Sequence, residues 1–151
     1  MVEKIIAEVI KQANKAKDMD EVPIGAVVCH NGEIIARAHN MREANNDITG
    51  HAEIIAIKKA AKKLGSWQLD DCELFVSITP CIMCAGAIVQ SRIKRVYVLS
   101  PSDYDEEFVL DIFVHNHIKK VDVKELDDGG RTKLILSEYF KNKRRKTSEK
   151  I

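Results

Sequence analysis

Nowhere does this chain carry an apolar run approaching the roughly 20 residues that a bilayer-spanning helix needs, and its N-terminus has no signal-peptide apolar region. A cytoplasmic protein without a membrane partner is therefore expected. An excess of one charge is lacking too: 24 Lys and Arg stand against 23 Asp and Glu, a net charge of +1. Nucleic-acid contact would have to come from local patches. Cysteine is sparse at four residues, and in a reducing compartment a Cys-x-x-Cys pair points to a metal more than to a disulfide. Repeats and linkers are missing as well. Residues 1–151 are read as a single domain, long enough for a real core.

Hydrophobic residues make up 45% of the chain and charged residues 31%, the balance of an ordinary globular protein. Ile5, Ile6, Val9, Ile10 and Ala13 recur at helical spacing and predict a first helix ending near Asp18. Val22–Cys29 and Glu33–His39 read as strands joined across Asn31-Gly32, a strong hairpin signal. Met41–Gly50 is polar and reads as a loop. His51–Leu64 predicts a second helix, stopped by Gly65. After the β-rich run Leu74–Ile78, Thr79 fits an N-cap and Pro80 the first helical position. Cys81 and Cys84 then fall in the first turn of a helix running to about Gln90. Arg95–Leu99 predicts a strand, Phe108–Phe113 a short helix, Lys119–Lys124 a strand and Thr132–Arg144 a last helix, with Thr147–Ile151 frayed. Strands bracketing a helix predict a parallel crossover, and the whole order predicts an α/β fold.

Two stretches carry the chemistry, His51-Ala52-Glu53 and Pro80-Cys81-Ile82-Met83-Cys84. Thiols at i and i+3 share one face of a helix turn, and a helix N-terminus lowers their pKa. His51, Cys81 and Cys84 together match a catalytic zinc site, one Zn2+ per chain, whose fourth position stays open to water. A closed structural site would need a fourth ligand at similar spacing, and none is obvious. Glu53 reads as the acid and base of the reaction. This His-x-Glu followed by Pro-Cys-x-x-Cys is the pattern of zinc nucleobase deaminases. A redox role for Cys81 and Cys84 competes with that reading, but the partner His-x-Glu argues against it.

Other residues have plainer readings. Cys29 and Cys72 fit small buried hydrophobes, and His30, His39, His115 and His117 fit surface or supporting positions. Five of the six residues Lys141–Lys146 are basic, which suits a solvated helix end and a nucleic-acid patch equally well. An acidic cluster, Asp103, Asp105, Glu106, Glu107 and Asp111, offsets it. On periodicity alone Tyr139 and Phe140 fit packing of the last helix on the sheet.

The chain resembles the bacterial tRNA-specific adenosine deaminases of the cytidine-deaminase superfamily from about Glu3 to Arg145. The residues that carry the resemblance are Glu21 to Val28 (EVPIGAVV), Ala38-His39-Asn40, His51-Ala52-Glu53, Leu64-Gly65-Ser66-Trp67 and Pro80 to Arg92 (PCIMCAGAIVQSR). Members of that branch hydrolyse adenosine to inosine at the wobble position of an anticodon. The resemblance implies a three-layer α/β/α fold with a mixed five-stranded sheet, in a homodimer. It assigns His51, Cys81 and Cys84 to zinc and Glu53 to proton transfer. It also makes Ile24, Asn40 and Pro80 substrate-binding positions, with Asn40 hydrogen-bonding the target nucleotide. Asn116 would reach the RNA, and Tyr139, Phe140 and Arg144 would meet the anticodon stem-loop. Two segments depart from the pattern. Ile78-Thr79-Pro80-Cys81 stands in place of Leu-Glu-Pro-Cys. Ser100 to Phe108 is shorter than its counterpart, acidic and without glycine or lysine, and such charge opposes phosphate binding; Asp103 is the candidate for the family's aspartate there.

Three functions compete on these grounds. The first is wobble deamination of tRNA. The second is deamination of a free nucleobase or nucleoside, a small substrate such as cytosine or guanine. The third is a non-catalytic, zinc-stabilised RNA-binding subunit, which the presence of Glu53 disfavours.

Overall fold

A computed structural model describes residues 1–102 and 106–149. The elements run α1 (Val2–Asp18), β1 (Gly25–His30), β2 (Glu33–His39), α2 (Ala52–Leu64), β3 (Cys72–Ile78), α3 (Ile82–Ser91), β4 (Arg95–Ser100), α4 (Glu106–Val114), β5 (Asp122–Glu125) and α5 (Arg131–Glu149). The five strands form one mixed sheet in the order β2-β1-β3-β4-β5. β1 is antiparallel to β2 and β3, whereas β3, β4 and β5 are parallel.

Both faces of the sheet are covered, which is why its central strands are apolar at successive positions rather than alternately. Along β1, Ala26 and Val28 face the layer of α2, α3 and α4, and Val27 and Cys29 face α1. β3 divides in the same way, with Cys72, Leu74 and Val76 on one side and Phe75 on the other. Ile5, Ile6 and Val9 of α1 fill the second face, where α5 also packs against α1 and β4. Phe75 and Tyr97 stack there at 4.4 Å between ring centroids. The close seat of α1 depends on Gly25. A Cβ at that position would run into the Val9 carbonyl oxygen and lie 2.7 Å from the Ala13 nitrogen. The result is a three-layer α/β/α arrangement.

The hairpin forms where Asn-Gly predicts it. Asn31 and Gly32 both have positive φ (52° and 80°), as a two-residue type I′ turn requires. Gly65 closes α2 in the left-handed conformation at φ 67°. Cys29 and Cys72 are both buried and unpaired, as small hydrophobes would be.

Several boundaries differ from the sequence expectation. The expected strand Val22–Cys29 starts at Gly25, because Pro23 has no N–H to give a ladder and the Ile24 N–H turns back to the Val22 carbonyl at 2.8 Å. Thr79 and Pro80 are not the cap and first residue of α3: the cap is Cys81. The Thr79 hydroxyl instead accepts the Ser102 N–H at 3.0 Å, tying the end of β3 to the segment after β4. β5 begins at Asp122 rather than Lys119, since the Asn116 side chain claims the intervening backbone. α5 continues through Glu149, past the expected fraying point at Thr147, and residues 150 and 151 lie outside the described residues, as do Asp103 and Asp105.

Candidate active site

The topology gathers four strand ends at one edge of the sheet. The Gly25↔His39 and Ala26↔Val76 pairings put the start of β1 beside the ends of β2 and β3, and the parallel β4 ends there too. Carboxyl ends of parallel strands are where open α/β sheets bind ligands. Ile24 precedes β1, Asn40 follows β2 and Pro80 follows β3, so the three residues expected to line a substrate pocket share that edge.

α2 and α3 both begin at this edge. Their N-cap residues are His51 and Cys81, and neither side chain caps its helix. Cap positions ordinarily carry Ser, Thr, Asp or Asn, whose oxygens satisfy the first N–H groups. Here the caps are imidazole and thiol, free to bind something else. The Asn40 side-chain oxygen takes over the capping of α2, accepting the Ala52 N–H at 2.9 Å. Asn40 is 6% exposed, and its amide nitrogen makes no hydrogen bond among the described residues.

His51 Nδ1 lies 3.6 Å from Cys81 Sγ and 3.6 Å from Cys84 Sγ. Among the described residues this is the one His, Cys, Asp or Glu group assembled tightly enough to hold a metal. The spacing can be tested against zinc. Bonds of about 2.3 Å to sulfur and about 2.0–2.1 Å to nitrogen, at a tetrahedral angle, separate S from N by about 3.6 Å. The observed distances fit, and one nitrogen with two sulfurs is a zinc-type donor set.

Protonation of the thiols points the same way. Hydrogen bonding from Cys84, then from backbone N–H groups at the start of α3, together with the nearby His51, lowers Cys81 to about 5 despite partial burial. Cys84 is pushed well up, first by the hydrogen bond it gives Cys81 and then by its own burial. One thiolate beside one thiol is what two sulfurs do without a cation between them, and a cation would draw off the second proton. Glu53, in the first turn of α2, is 2% exposed. Burial raises its carboxyl to about 7, with the Cys81 sulfur adding to the effect. Its Oε1 has no hydrogen-bond partner. A buried carboxylate oxygen left without a donor, next to a metal-ready cluster, is a feature of function rather than of stability.

A profile of the MafB19-like deaminase family matches residues 2–144. The chain belongs to that family. The tRNA-specific adenosine deaminase of Bacillus subtilis is 52% identical over 94 residues, 62% of this chain and 58% of that protein. The chain thus aligns with a little over half the length of that relative. The Aquifex aeolicus protein of the same name is 39% identical over 141 residues, 89% of this chain and 91% of its own length. Among solved structures, one from work on A-to-I editing by tRNA:A34 deaminases at the wobble position superposes with a TM-score of 0.77 at 33% identity, over 86% of this chain and 96% of that one. A guanine deaminase from Bacillus subtilis superposes with a TM-score of 0.64 at 31% identity, over 89% and 91%. The resemblance read from the sequence, and the mixed five-stranded sheet it implies, both hold.

The remaining predicted residues are not all at this edge. Asn116 uses its whole side-chain amide on its own turn: Nδ2 donates to the carbonyls of Ile112, Phe113 and Lys119, and Oδ1 accepts the Ile118 and Lys119 N–H groups. Tyr139 is buried against the end of α1, its hydroxyl 3.4 Å from the Asp20 carbonyl and its ring edge-on to Phe140 at 5.3 Å. Phe140 and Arg144 are exposed on α5. The structural role of one buried carboxylate escapes sequence reasoning. Glu21 is 2% exposed and accepts the Glu43 and Ala44 N–H groups at 3.1 and 2.6 Å. Its sequence signals are its place at the head of the EVPIGAVV stretch and a charge set beside the apolar run Val22-Pro23-Ile24.

Proposed function

We propose that this chain hydrolyses adenosine to inosine at the wobble position of a tRNA anticodon. The observation that supports it most is the pairing of the His51, Cys81 and Cys84 cluster with a buried Glu53 held near 7. The relatives named for that reaction match over nearly the whole chain.

In this reading His51, Cys81 and Cys84 hold one zinc ion. Zinc held there would supply Lewis acidity and lower the pKa of a water to about 7. Glu53 is the catalytic residue. Its carboxylate takes a proton from the attacking water and delivers it to the purine ring nitrogen, then takes the remaining hydroxyl proton of the adduct and passes it to the departing amine. Water adds to the amidine carbon, the C–N bond breaks, and ammonia leaves with a carbonyl in its place. A carboxyl near 7 divides its population between acceptor and donor at neutral pH, which is what a group working in both directions needs. Asn40, its oxygen committed to Ala52, has a free amide nitrogen to donate to the nucleoside. Ile24 and Pro80 form walls beside it. A base inside a duplex is out of reach, so the substrate presents an unstacked nucleotide from a loop.

Phe140 and Arg144, exposed on α5, supply an aromatic face and a cation for the stem-loop, and Tyr139 fixes that helix against α1. A homodimer, as the resemblance implies, and a cytoplasmic location complete the reading.

A free-base deaminase is the second reading, favoured by the guanine deaminase superposition and by the acidic character of Ser100 to Phe108. Zinc-loaded protein incubated separately with tRNA, nucleosides and free nucleobases separates the two through ammonia release. Inosine at the wobble position of tRNA is the expected result. Ammonia from guanine or cytosine with none from tRNA would replace this reading with the second.

A further inference from the structure

Between Asn40 and His51 the chain makes a ten-residue loop that contributes little to the core, with residues 42–46, Ile48 and Thr49 exposed. It is nevertheless closed upon itself. The Met41 N–H donates to the Gly50 carbonyl at 2.8 Å across the neck, and the Asn45, Asp47 and Gly50 N–H groups donate to the Met41, Arg42 and Asp47 carbonyls at 2.9–3.0 Å. The Asp47 carboxylate accepts both the backbone N–H and the hydroxyl of Thr49. Among the described residues, the side-chain hydrogen bonds that reach this loop from α1's side come from Glu21, through the Glu43 and Ala44 N–H groups. Glu21 is itself anchored, its N–H donating to the Ala16 carbonyl in α1 at 2.9 Å.

A buried carboxylate is costly unless charge-assisted hydrogen bonds replace its water. An apolar side chain would fill the same space without that cost. Here the replacing donors belong to an exposed loop, so the benefit of the carboxylate is the shape of the loop and not the density of the core. That loop begins at the residue whose side chain caps α2 and ends at the residue whose imidazole faces two thiols. It also presents Ile48, 82% exposed, at the surface.

We propose that Glu21 is a positioning residue for the deamination: its carboxylate holds loop 41–50 as a preformed wall of the site and so sets substrate affinity rather than the rate of the chemical step. This rests on the deaminase reading above. A wall ordered in advance needs no ordering when substrate arrives, and its loss appears as weaker binding.

The test is Glu21→Gln, which keeps the shape but leaves one acceptor and turns an NH2 donor against the second loop N–H. Zinc-loaded wild type and variant are compared for kcat, KM, zinc content, Tm, and hydrogen exchange at the Glu43 and Ala44 amides. Expected are loss of protection at those two amides, one zinc per chain, kcat within about threefold, and a KM raised roughly 10- to 100-fold. Glu21→Asp, which keeps the charge, should recover part of the KM. A fall in Tm with KM unchanged would reduce Glu21 to a structural residue, and a loss confined to kcat would equally overturn the proposal. If the wild type acts on a nucleobase and not on RNA, the wobble reading fails, and the same KM comparison on that nucleobase still decides for or against Glu21. If Glu21→Gln does not fold, wild-type exchange decides: protected Glu43 and Ala44 amides support the clamp, and freely exchanging ones refute it.

Discussion

The side-chain oxygen of Asn40 accepts the Ala52 N–H at 2.9 Å and so caps the helix that His51 begins. In the proposed function one residue would therefore have two separable tasks, an acceptor that serves stability and a donor for substrate. Asn40→Ala should cost about 1 kcal/mol, a Tm drop of roughly 2–4 °C for a chain of this size. Asn40→Asp keeps the acceptor at a helix N-terminus, where negative charge is favoured, and should hold the wild-type Tm. Both variants should lose roughly 10- to 100-fold in kcat/KM. Thermal melts beside ammonia release check this, and an active Asn40→Asp would deny the donor its role.

Thiol reactivity should follow the division of protons at the cluster. Cys81 is exposed and lowered to about 5, whereas Cys29 is buried and pushed up to about 11. With metal stripped by a chelator, iodoacetamide at pH 7 should label Cys81 first and leave Cys29 and Cys72 unmodified, because the thiolate is the nucleophile. Restoring zinc should protect Cys81. Peptide mapping by mass spectrometry reads the order, and labelling of Cys29 as fast as Cys81 would contradict it.

Burial, and secondarily the negative Glu73, raise the Cys29 thiol from an ordinary 9 to about 11. The folded state thus holds this proton more tightly than the unfolded state. Its contribution to stability is complete below pH 9 and is lost as pH rises through 11, up to about 2–3 kcal/mol. Zinc-loaded protein should lose stability to urea between pH 9 and 11, and Cys29→Ala should flatten that slope whatever its effect at pH 7. An identical slope in the variant would place the alkaline loss elsewhere.

Local chemistry made much of this structure legible in the sequence. Asn31-Gly32 and Gly65 mark their turn and helix end because positive φ is a demand few residues meet. His51, Glu53, Cys81 and Cys84 stand out because a metal site needs particular atoms at short spacings. What stayed hidden depends on partners far along the chain. Thr79 looks like a helix cap until its hydroxyl is found on the Ser102 N–H, 23 residues away. Nothing in the stretch that Glu21 opens announces the two loop N–H groups, 22 and 23 residues on, that its carboxylate accepts. Asn116 looks free for RNA, yet five hydrogen bonds within one turn occupy it. Spacing in sequence announces a ligand set; it does not announce which hydrogen bonds a tertiary fold will claim.

The account turns on Glu53, whose buried carboxyl sits beside the His51, Cys81 and Cys84 cluster. The most direct test is to measure zinc content and ammonia release together for Glu53→Ala and wild type. The variant should retain one zinc per chain and lose roughly 10²–10⁴-fold in turnover. Full activity in Glu53→Ala at wild-type zinc content would contradict the account.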